Sequence, residues 1–499
     1  MRAAPNFDLL VMGGGATGLG VALSAARRGW RVALLESHDF AKGTSSRSTK
    51  LVHGGVRYLA QGRLGLVREA LHERHAMLAS LPHLAQPLAF VMPAYRWWQP
   101  FFYGLGLKLY DWLAGAEGLG TTQWLSAAQT RRCLPGLTTG GLWGGVQYWD
   151  GQFDDARYAV QLARDAVAAG ACVLNHCQVQ SLLQDQGRVV GVQALDQETG
   201  QSFALHAACV VNATGVWVDQ FRAQEAPMVA PSQGVHLVVD ADFLAGSQAL
   251  LVPRTEDGRV LFAVPWLGKL ILGTTDTSRH DLPREPEAFE EEIAFILREA
   301  GRVLQRKPQR SDVRSIWVGL RPLIRPPKAS QRVATRQLSR EHWIGPGLPG
   351  LLHVSGGKWT TYRAMAEDVL QQAQAAGWLS PRAAAPPRTQ SVQTTVSLTQ
   401  APGPHLYGPE QSLLAQLEGH AHWLAPGLTE SMVRFAARYE MARTVEDVLA
   451  RRSRLLFLDA RAALRVAPQV ARVLREEGCE QVELDAFQAL AKRYLLDSV

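Results

Sequence analysis

The chain has 499 residues, of which 47% are hydrophobic and 19% charged. That length is enough for about three domains with large cores, and the composition excludes a disordered, a collagen-like and a multispanning membrane protein. The 52 Lys and Arg outnumber the 45 Asp and Glu, giving a net charge of +7. Such a mild basic excess favours an anionic partner: a phosphate, an anionic metabolite or an anionic membrane surface.

Residues 7–12 form an apolar run typical of a buried parallel strand. Residues 16–28 follow with helical spacing, and residues 31–35 form a second apolar run. This order predicts a βαβ unit with a right-handed crossover. The uncharged stretch 9–26 has the length of a membrane span, but its five glycines cluster where a turn is needed, and we reject that interpretation.

The turn between the first strand and the helix reads G-x-G-x-x-G. Gly13 permits a tight turn, Gly15 lets the backbone approach a pyrophosphate, and Gly18 lets the helix pack closely on the sheet. Glu36 ends the second strand, where its carboxylate can accept hydrogen bonds from ribose hydroxyls. The pattern predicts a dinucleotide site, without choosing between FAD and NAD.

Further apolar strands are predicted at 171–174, 208–213 and 351–354, far apart in the sequence. The Trp- and Pro-rich stretches 90–113 and 250–275 between them predict a second, mostly β layer with insertions. The predicted fold class is therefore an α/β FAD-binding Rossmann-like domain with an inserted mixed β-sheet substrate domain and a C-terminal helical domain.

The chain divides into an oxidoreductase region, 1–385, a linker rich in Pro, Ser, Thr and Gln, 386–408, and a helical domain, 409–499. In the helical domain, Thr444 and Asp447 have the spacing of a capping box. Within the first region we assign cofactor-binding segments to about 1–80, 150–220 and 345–385, and substrate- or membrane-facing segments to about 81–149 and 221–344.

The five cysteines have irregular spacing and include no C-x-x-C pair. This pattern argues against a disulfide framework and a zinc site, so we expect a reducing compartment and no metal. The cysteines are Cys133, Cys172, Cys177, Cys209 and Cys479.

Residues 43–59 read GTSSRSTKLVHGGVRYL. On composition alone this is a polar, glycine-containing loop that opens a helix. It resembles the corresponding stretch of the FAD-dependent, quinone-linked glycerol-3-phosphate dehydrogenases, flavoproteins related to glycine and D-amino-acid oxidases. Similar motifs recur along nearly the whole chain, namely WDGQFDDAR at 149–157, NATGVW at 212–217, GVHLVV at 234–239, PW at 265–266, GTTD at 273–276, GLRPL at 319–323, SGGKWTTYR at 355–363 and ARTVEDVLARRSRLLFL at 442–458.

The resemblance implies that FAD is bound noncovalently and that sn-glycerol 3-phosphate is oxidised to dihydroxyacetone phosphate, with hydride transfer to the flavin. It places further residues of these motifs at the cofactor: Thr44, Ser45, Ser46, Asn212, Gly215, Gly357, Lys358, Thr360 and Thr361. Val235 departs from the usual Ser of its motif, and the chain has no EF-hand loop, so calcium control is not implied.

A dianionic substrate requires fixed cations, and the resemblance places Arg57, Arg321 and Lys358 at it, with Tyr58 beside Arg57. His53 and His236 are the candidates for the base that removes the hydroxyl proton, because imidazole titrates near neutral pH. We expect Arg321, Lys358 and His236 to contact substrate as well as to serve catalysis. The identity of the base stays open at this point.

Residues 95–114 mix eight Trp, Phe and Tyr side chains with Arg96, Lys108 and Asp111. This mixture suits a segment that lies in a membrane interface, and it is too charged to span a bilayer. A pair of core helices is the alternative interpretation. The family delivers electrons to a membrane quinone, which implies a peripheral protein on the cytoplasmic face of the inner membrane and a place in the respiratory chain.

Two other functions remain open from sequence. The first is another FAD-dependent oxidase or dehydrogenase of the same superfamily, which would need a carboxylate clamp for an amine or 2-hydroxy acid. The second is a basic FAD-fold protein that binds RNA; no RNA-binding module is visible, so we expect no nucleic acid partner. A homodimer is compatible with the sequence.

Overall fold

The computed structural model describes residues 7–59, 62–222, 226–325, 342–383 and 396–496, without the side chains of Arg57 and Tyr58. The strands are β1 (Phe7–Met12), β2 (Val32–Leu35), β3 (Leu51–Val52), β4 (Ala85–Ala94), β5 (Gln123–Ser126), β6 (Gly144–Phe153), β7 (Cys172–Leu174), β8 (Cys177–Asp185), β9 (Arg188–Asp196), β10 (Ser202–Asn212), β11 (Val229–Asp240), β12 (Ala249–Val252), β13 (Leu261–Trp266), β14 (Lys269–Gly273), β15 (Thr277–Ser278), β16 (Ser315–Ile324), β17 (His342–Pro346), β18 (Leu351–Gly356), β19 (Trp423–Ala425) and β20 (Leu428–Thr429).

The helices are α1 (Ala16–Arg27), α2 (Val56–Leu59), α3 (Leu64–Ser80), α4 (Gln99–Ala114), α5 (Ala127–Cys133), α6 (Asp155–Ala168), α7 (Glu290–Val303), α8 (Tyr362–Ala375), α9 (Gln411–Gln416), α10 (Glu430–Tyr439), α11 (Leu455–Leu458), α12 (Ala460–Glu476) and α13 (Leu484–Lys492). Short 3₁₀ turns join several of them, and a π-helix covers Asp447–Arg452. No helix of the described ranges is both long and apolar enough to cross a membrane.

The first sheet has the order β17-β18-β10-β1-β2-β7, with the hairpin β8–β9 added beside β10. β18, β10, β1, β2 and β7 run parallel, and β17 is antiparallel to β18. Apolar side chains of α1, α6 and α8 share a core with one face, and the hairpin β8–β9 contributes to the core on the other. Such double coverage explains why β1 and β2 are almost continuously apolar.

The second sheet is ten-stranded and mostly antiparallel, with the order β15-β11-β14-β13-β12-β4-β6-β3, β16 beside β11 and β5 beside β6. One face shares a core with α7, and the other shares a core with the C-terminal helices. The sheet is therefore enclosed on both sides, and the C-terminal domain is part of its packing. These sheets and helices confirm the predicted fold class.

The mostly β interpretation of 90–113 is wrong for its second half, where α4 is a helix. Aromatic residues favour strands on average, but Leu107, Tyr110 and Leu113 recur at helical spacing and are buried on one side of α4. In the predicted linker, residues 396–408 pack against the folded units, because Leu398, Leu406 and Tyr407 are buried. The remainder of that linker up to residue 395 lies outside the described residues.

The turn between β1 and α1 is tight enough to exclude a side chain at two glycines. Gly13 has φ +106°, and a Cβ atom there would lie 2.7 Å from the carbonyl oxygen of Ala213. A Cβ atom on Gly18 would lie 1.9 Å from the carbonyl oxygen of Gly13. The helix can therefore approach the strand only because Gly18 has no side chain.

We expect Gly18→Ala to destabilise the protein by about 1–3 kcal/mol, because the new methyl group must displace backbone atoms. Gly65→Ala is the matched control, since a Cβ atom at this exposed position of α3 meets nothing within 4 Å. Thermal unfolding of both variants should show a lower midpoint for Gly18→Ala alone. An unchanged midpoint for Gly18→Ala would contradict the close contact.

Candidate active site

A large cavity of about 2170 Å³ lies where the two sheets meet. The turn after β1, the loop after β2, the segment 41–56 and the segment 354–360 contribute to its wall, together with residues of β11 and β16. The carboxyl ends of β1 and β2 point into it, which is where open α/β sheets bind ligands. Most of the cofactor-binding candidates therefore share one cavity with His53, His236 and Arg321.

The first wall of the cavity fits a dinucleotide. Gly15, Ala16 and Thr17 line it, and the N-cap residue Gly15 has no side chain to occupy the first-turn amide groups of α1. A helix N-terminus whose N-cap residue makes no side-chain hydrogen bond offers N–H donors and a positive dipole to phosphates. Glu36 also lines the cavity, and its Oε2 accepts a hydrogen bond of 2.6 Å from the Gly14 amide.

The 3₁₀ turn Thr44–Ser46 connects the parts of the wall. The Thr44 hydroxyl donates to the carbonyl oxygen of Leu320 at 2.6 Å, and Ser45 Oγ accepts from the Ala16 amide at 3.0 Å. The indole N–H of Trp359 donates to the Ser45 carbonyl at 2.7 Å. The turn thus ties α1, β16 and the segment after β18 together at the cavity.

Four predicted cofactor residues do not lie on the cavity wall, namely Gly18, Ser46, Asn212 and Thr361. Ser46 is buried behind it, and its carbonyl oxygen accepts from Lys50. Asn212 is also fully buried: its Oδ1 accepts from the Thr214 hydroxyl at 2.7 Å and its Nδ2 donates to the Val218 carbonyl. Thr361 instead precedes α8, and its hydroxyl donates to the Lys358 carbonyl. These residues make hydrogen bonds within the protein, and Gly18 lies against the backbone of Gly13; their contacts with the cofactor stay predictions.

The other predicted cofactor residues are at the wall. Gly13, Thr44, Ser45, Gly215, Gly357, Lys358 and Thr360 line the cavity. Gly357 has φ +72°, and a Cβ atom there would lie 2.4 Å from Met365 Sδ. The backbone at this glycine can therefore turn toward the cavity only without a side chain.

His236 lies on the substrate side of the cavity, within β11. Its ring stacks on Trp317 with 4.1 Å between centroids, and its Nε2 is 2.9 Å from the Thr49 hydroxyl oxygen. Burial, followed by the charges of Lys50 and Arg321, lowers the pKa of His236 well below its usual range. The imidazole is therefore neutral at working pH.

Arg321 lies on the neighbouring strand β16, opposite Ser232 of β11, and lines the same cavity as His236. Its Nη1 donates to the Gln233 carbonyl at 3.2 Å, and its Nη2 donates to the Thr274 hydroxyl at 3.1 Å. The carboxylate of Asp276 lies 3.5 Å away. These contacts hold the guanidinium at the cavity wall, where it can meet an anion.

His53 and Lys358 line the same cavity. The carbonyl of His53 accepts a long hydrogen bond of 3.5 Å from Thr360, next to Lys358. The backbone of Arg57 and Tyr58 forms part of α2, but their side chains lie outside the described part of the structure. Their predicted contacts with substrate therefore stay predictions.

Sequence reasoning missed a cation and an aromatic ring on the cofactor side of the cavity. Trp217 and Arg284 both line it, and the guanidinium carbon lies 3.9 Å from the indole centroid. Burial lowers the pKa of Arg284, while the charge of Glu36 opposes this. Trp217 belongs to the NATGVW motif and was open to recognition, whereas Arg284 follows β15 in a loop without a motif.

The far end of the cavity is apolar and reaches the protein surface. Phe102, Leu105 and Leu109 of α4 line it, although they are 70%, 75% and 41% exposed. On the opposite side of α4, the Tyr110 hydroxyl accepts from the amide of Gly54 at 2.9 Å. α4 is thus anchored to the segment that carries His53 and presents an aromatic face to the outside.

Comparison with known proteins identifies this architecture. Residues 8–363 match the family model of FAD-dependent oxidoreductases, and residues 406–479 match the C-terminal domain of alpha-glycerophosphate oxidase. A mitochondrial glycerol-3-phosphate dehydrogenase of Arabidopsis thaliana is 40% identical over 95% of this chain and 83% of its own length. The mitochondrial glycerol-3-phosphate dehydrogenase of Mus musculus is 38% identical over 96% of this chain and 71% of its own.

Solved structures agree with the sequence matches. The glycerol-3-phosphate dehydrogenase of Bacillus halodurans, determined as a complex with FAD, superposes with a TM-score of 0.77 at 30% identity, covering 99% of this chain and 96% of that one. The open first turn of α1 and the excluded side chains at Gly13 and Gly18 fit this cofactor. The prediction of FAD is confirmed, and the chain belongs to the family of FAD-dependent glycerol-3-phosphate dehydrogenases.

Proposed function

We propose that the protein oxidises the secondary alcohol of sn-glycerol 3-phosphate to dihydroxyacetone phosphate and delivers the electrons to a membrane quinone. The observation that supports this most is the shared cavity, which has a dinucleotide turn on one wall and Arg321, Lys358 and two histidines on the others. The names of the relatives indicate the same substrate. When bound, FAD supplies the redox step by accepting a hydride from the substrate carbon.

The protein's first task is to bind and orient a dianion. Arg321 offers a planar fork to phosphate oxygens, while Lys358 supplies a compact charge from the segment that follows β18. Asp276 forms an ion pair with Arg321, which partly balances the positive charge and helps to orient the guanidinium. Arg57 is proposed as a third cation from its motif.

The second task is to accept the hydroxyl proton. His236 is 2% exposed, and its Nε2 already pairs with Thr49. His53 is only half-buried on the same wall, so its imidazole has the better access to a bound substrate. We therefore assign the proton acceptor to His53, with neutral His236 as a hydrogen-bonding partner of the substrate.

The surface around α4 supports the proposal of a membrane quinone as the electron acceptor. Trp97, Phe101, Phe102, Leu105 and Trp112 are each at least 65% exposed, which is unusual for a surface facing water. Two of these side chains, Phe102 and Leu105, also line the cavity. A peripheral attachment through α4 to the cytoplasmic face of the inner membrane would place a quinone near the cofactor.

Arg321→Ala should raise KM for glycerol 3-phosphate by about 10- to 100-fold, because a charge-assisted hydrogen bond contributes about 1.5–3 kcal/mol. The flavin absorption spectrum should stay unchanged. Arg314→Ala is the control, since Arg314 immediately precedes β16 and pairs instead with Asp240. A near-normal KM in Arg321→Ala would show that the phosphate binds elsewhere.

His53→Gln and His236→Gln form a matched pair that tests the proton acceptor. We expect kcat to fall by about 10²–10⁴ in His53→Gln, the range for loss of a general base. The kcat of His236→Gln should fall less, because the glutamine amide can still form a hydrogen bond with Thr49. Steady-state kinetics with FAD-saturated protein measures both, and a larger loss in His236→Gln would reverse the assignment.

The double change Trp97→Ser with Phe101→Ser should move the protein from the vesicle pellet to the supernatant. About 300 Å² of aromatic surface at roughly 25 cal/mol per Å² gives several kcal/mol of membrane affinity. Activity with a soluble dye should persist while quinone reduction in vesicles falls.

Trp423→Ser is the control for this experiment, since Trp423 is 53% exposed on the C-terminal domain, away from α4. It should sediment with vesicles as the unchanged protein does. Unfolding or flavin loss in the double variant would show instead that the α4 aromatics are needed for the core.

A further inference from the structure

We propose that the C-terminal domain is a clamp on the cofactor site, in which residues 446–454 hold both chain segments that form the FAD side of the cavity. One contact is to Asp39 in the loop after β2, and the other is to the Ser46 carbonyl in the turn Thr44–Ser46. The inference rests on FAD as the cofactor and is independent of the substrate and the electron acceptor.

The first contact is a buried carboxylate held by two consecutive arginines. Asp39 is 0% exposed, and Arg452 donates to its two oxygens at 2.6 and 2.9 Å, while Arg451 Nε donates to Oδ2. Residues on both sides of Asp39 line the cavity, from Glu36 to Lys42. The C-terminal domain therefore fixes this loop at its centre.

A second ion pair anchors the same loop nearer to the cavity. Lys42 Nζ lies 2.7 Å from a carboxylate oxygen of Glu446, which also accepts from Arg451 at 2.7 Å. Burial alone would raise the pKa of Glu446, but the charges of Arg451 and Lys42 lower it to about 2. The Glu446 carboxylate is therefore charged throughout the physiological pH range.

The second contact reaches the turn Thr44–Ser46 from behind. Arg454 Nη2 donates to the Ser46 carbonyl at 2.9 Å and to Asp155 Oδ1 at 3.0 Å. Lys50 donates to the same carbonyl at 2.7 Å and to the other oxygen of Asp155, also at 2.7 Å. The side chains of Lys50, Asp155 and Arg454 are completely buried. Ser46 is thus held from the side opposite to the cavity.

The local backbone explains how one short segment makes both contacts. Asp447–Arg452 is a π-helix, and the Ser453 amide donates to the Val448 carbonyl, five residues back, at 2.8 Å. The wider turn of a π-helix changes the angle between successive side chains, and such turns are frequent at functional sites. Arg451 and Arg452 reach one carboxylate, and Arg454 then has φ +64°, which directs the chain into α11.

Because the charges of Asp39, Asp155, Arg451, Arg452 and Arg454 are buried, each is stable only with its partner in place. Displacing the C-terminal domain would leave Asp39 and Asp155 short of their counter-charges. The domain therefore stays docked, and docking in turn fixes the two segments at the cofactor. Reciprocal coupling follows: FAD binding stabilises docking as much as docking favours FAD binding.

The test is the dissociation constant of FAD, measured by adding FAD to the apoprotein and following flavin fluorescence. Asp39→Asn and Arg452→Met should each raise it at least tenfold. Arg434→Met is the matched control: Arg434 is 5% exposed and paired with Glu430, Glu476 and Glu477, all within the C-terminal domain. It should change FAD affinity less than twofold while lowering the unfolding midpoint.

The double variant Asp39→Asn with Arg452→Met separates a direct contact from general damage. If the clamp is correct, the FAD affinity of this double variant should be no lower than that of the single variant with the lower affinity. The reason is that neither the Asp39 nor the Arg452 charge is then left without the other. Glu446→Gln provides a milder change for the case that a single variant does not fold, and should weaken FAD binding about threefold or more.

Hydrogen exchange gives a readout without mutation. FAD addition should protect residues 446–454 more than α13, which lies in the same domain. Equal protection of both segments, or FAD affinities that fall in all variants in proportion to the unfolding midpoint, would overturn the clamp. Additive losses in the double variant would overturn it as well.

Discussion

The turn Thr44–Ser46 is the constraint on which the arrangement of the cavity depends. Its three residues make hydrogen bonds to the start of α1, to β16 beside Arg321, to Trp359 after Lys358 and to Arg454 of the C-terminal domain. The dinucleotide turn and the proposed substrate cations therefore share one fixed reference. A shift of this turn would change the distance between cofactor and substrate, on which hydride transfer depends steeply.

The features that sequence predicted well are those set by local chemistry. β1, α1 and β2 begin and end within one residue of the predicted bounds. Their bounds are set by apolar runs and glycines that lie within one stretch of about thirty residues. The capping box of Thr444 and Asp447 is also present, with reciprocal hydrogen bonds of 3.2 and 3.0 Å. The helix α4 was predicted as mostly β because its aromatic composition favours strands. The buried residues Leu107, Tyr110 and Leu113 recur at helical spacing instead.

The features that sequence could not predict depend on partners far along the chain. Asp39 and Arg452 are separated by 413 positions, and no spacing rule connects them. Motif membership also does not separate residues that touch a ligand from residues that hold the motif in shape. Asn212 and Ser46 lie off the cavity wall and make hydrogen bonds within the protein, so their contacts with the cofactor stay predictions. Arg284 has no motif at all and became visible only through its contact with Trp217.

FAD is the cofactor of the family, and sn-glycerol 3-phosphate is the substrate that this cavity is proposed to bind. The most direct test of this proposal is an anaerobic titration of the purified, FAD-saturated protein with sn-glycerol 3-phosphate, followed by flavin absorption. We predict stoichiometric bleaching of the flavin bands by sn-glycerol 3-phosphate and none by glycerol, which lacks the phosphate for Arg321 and Lys358. A flavin that stays oxidised with sn-glycerol 3-phosphate, or that glycerol bleaches equally well, would contradict it.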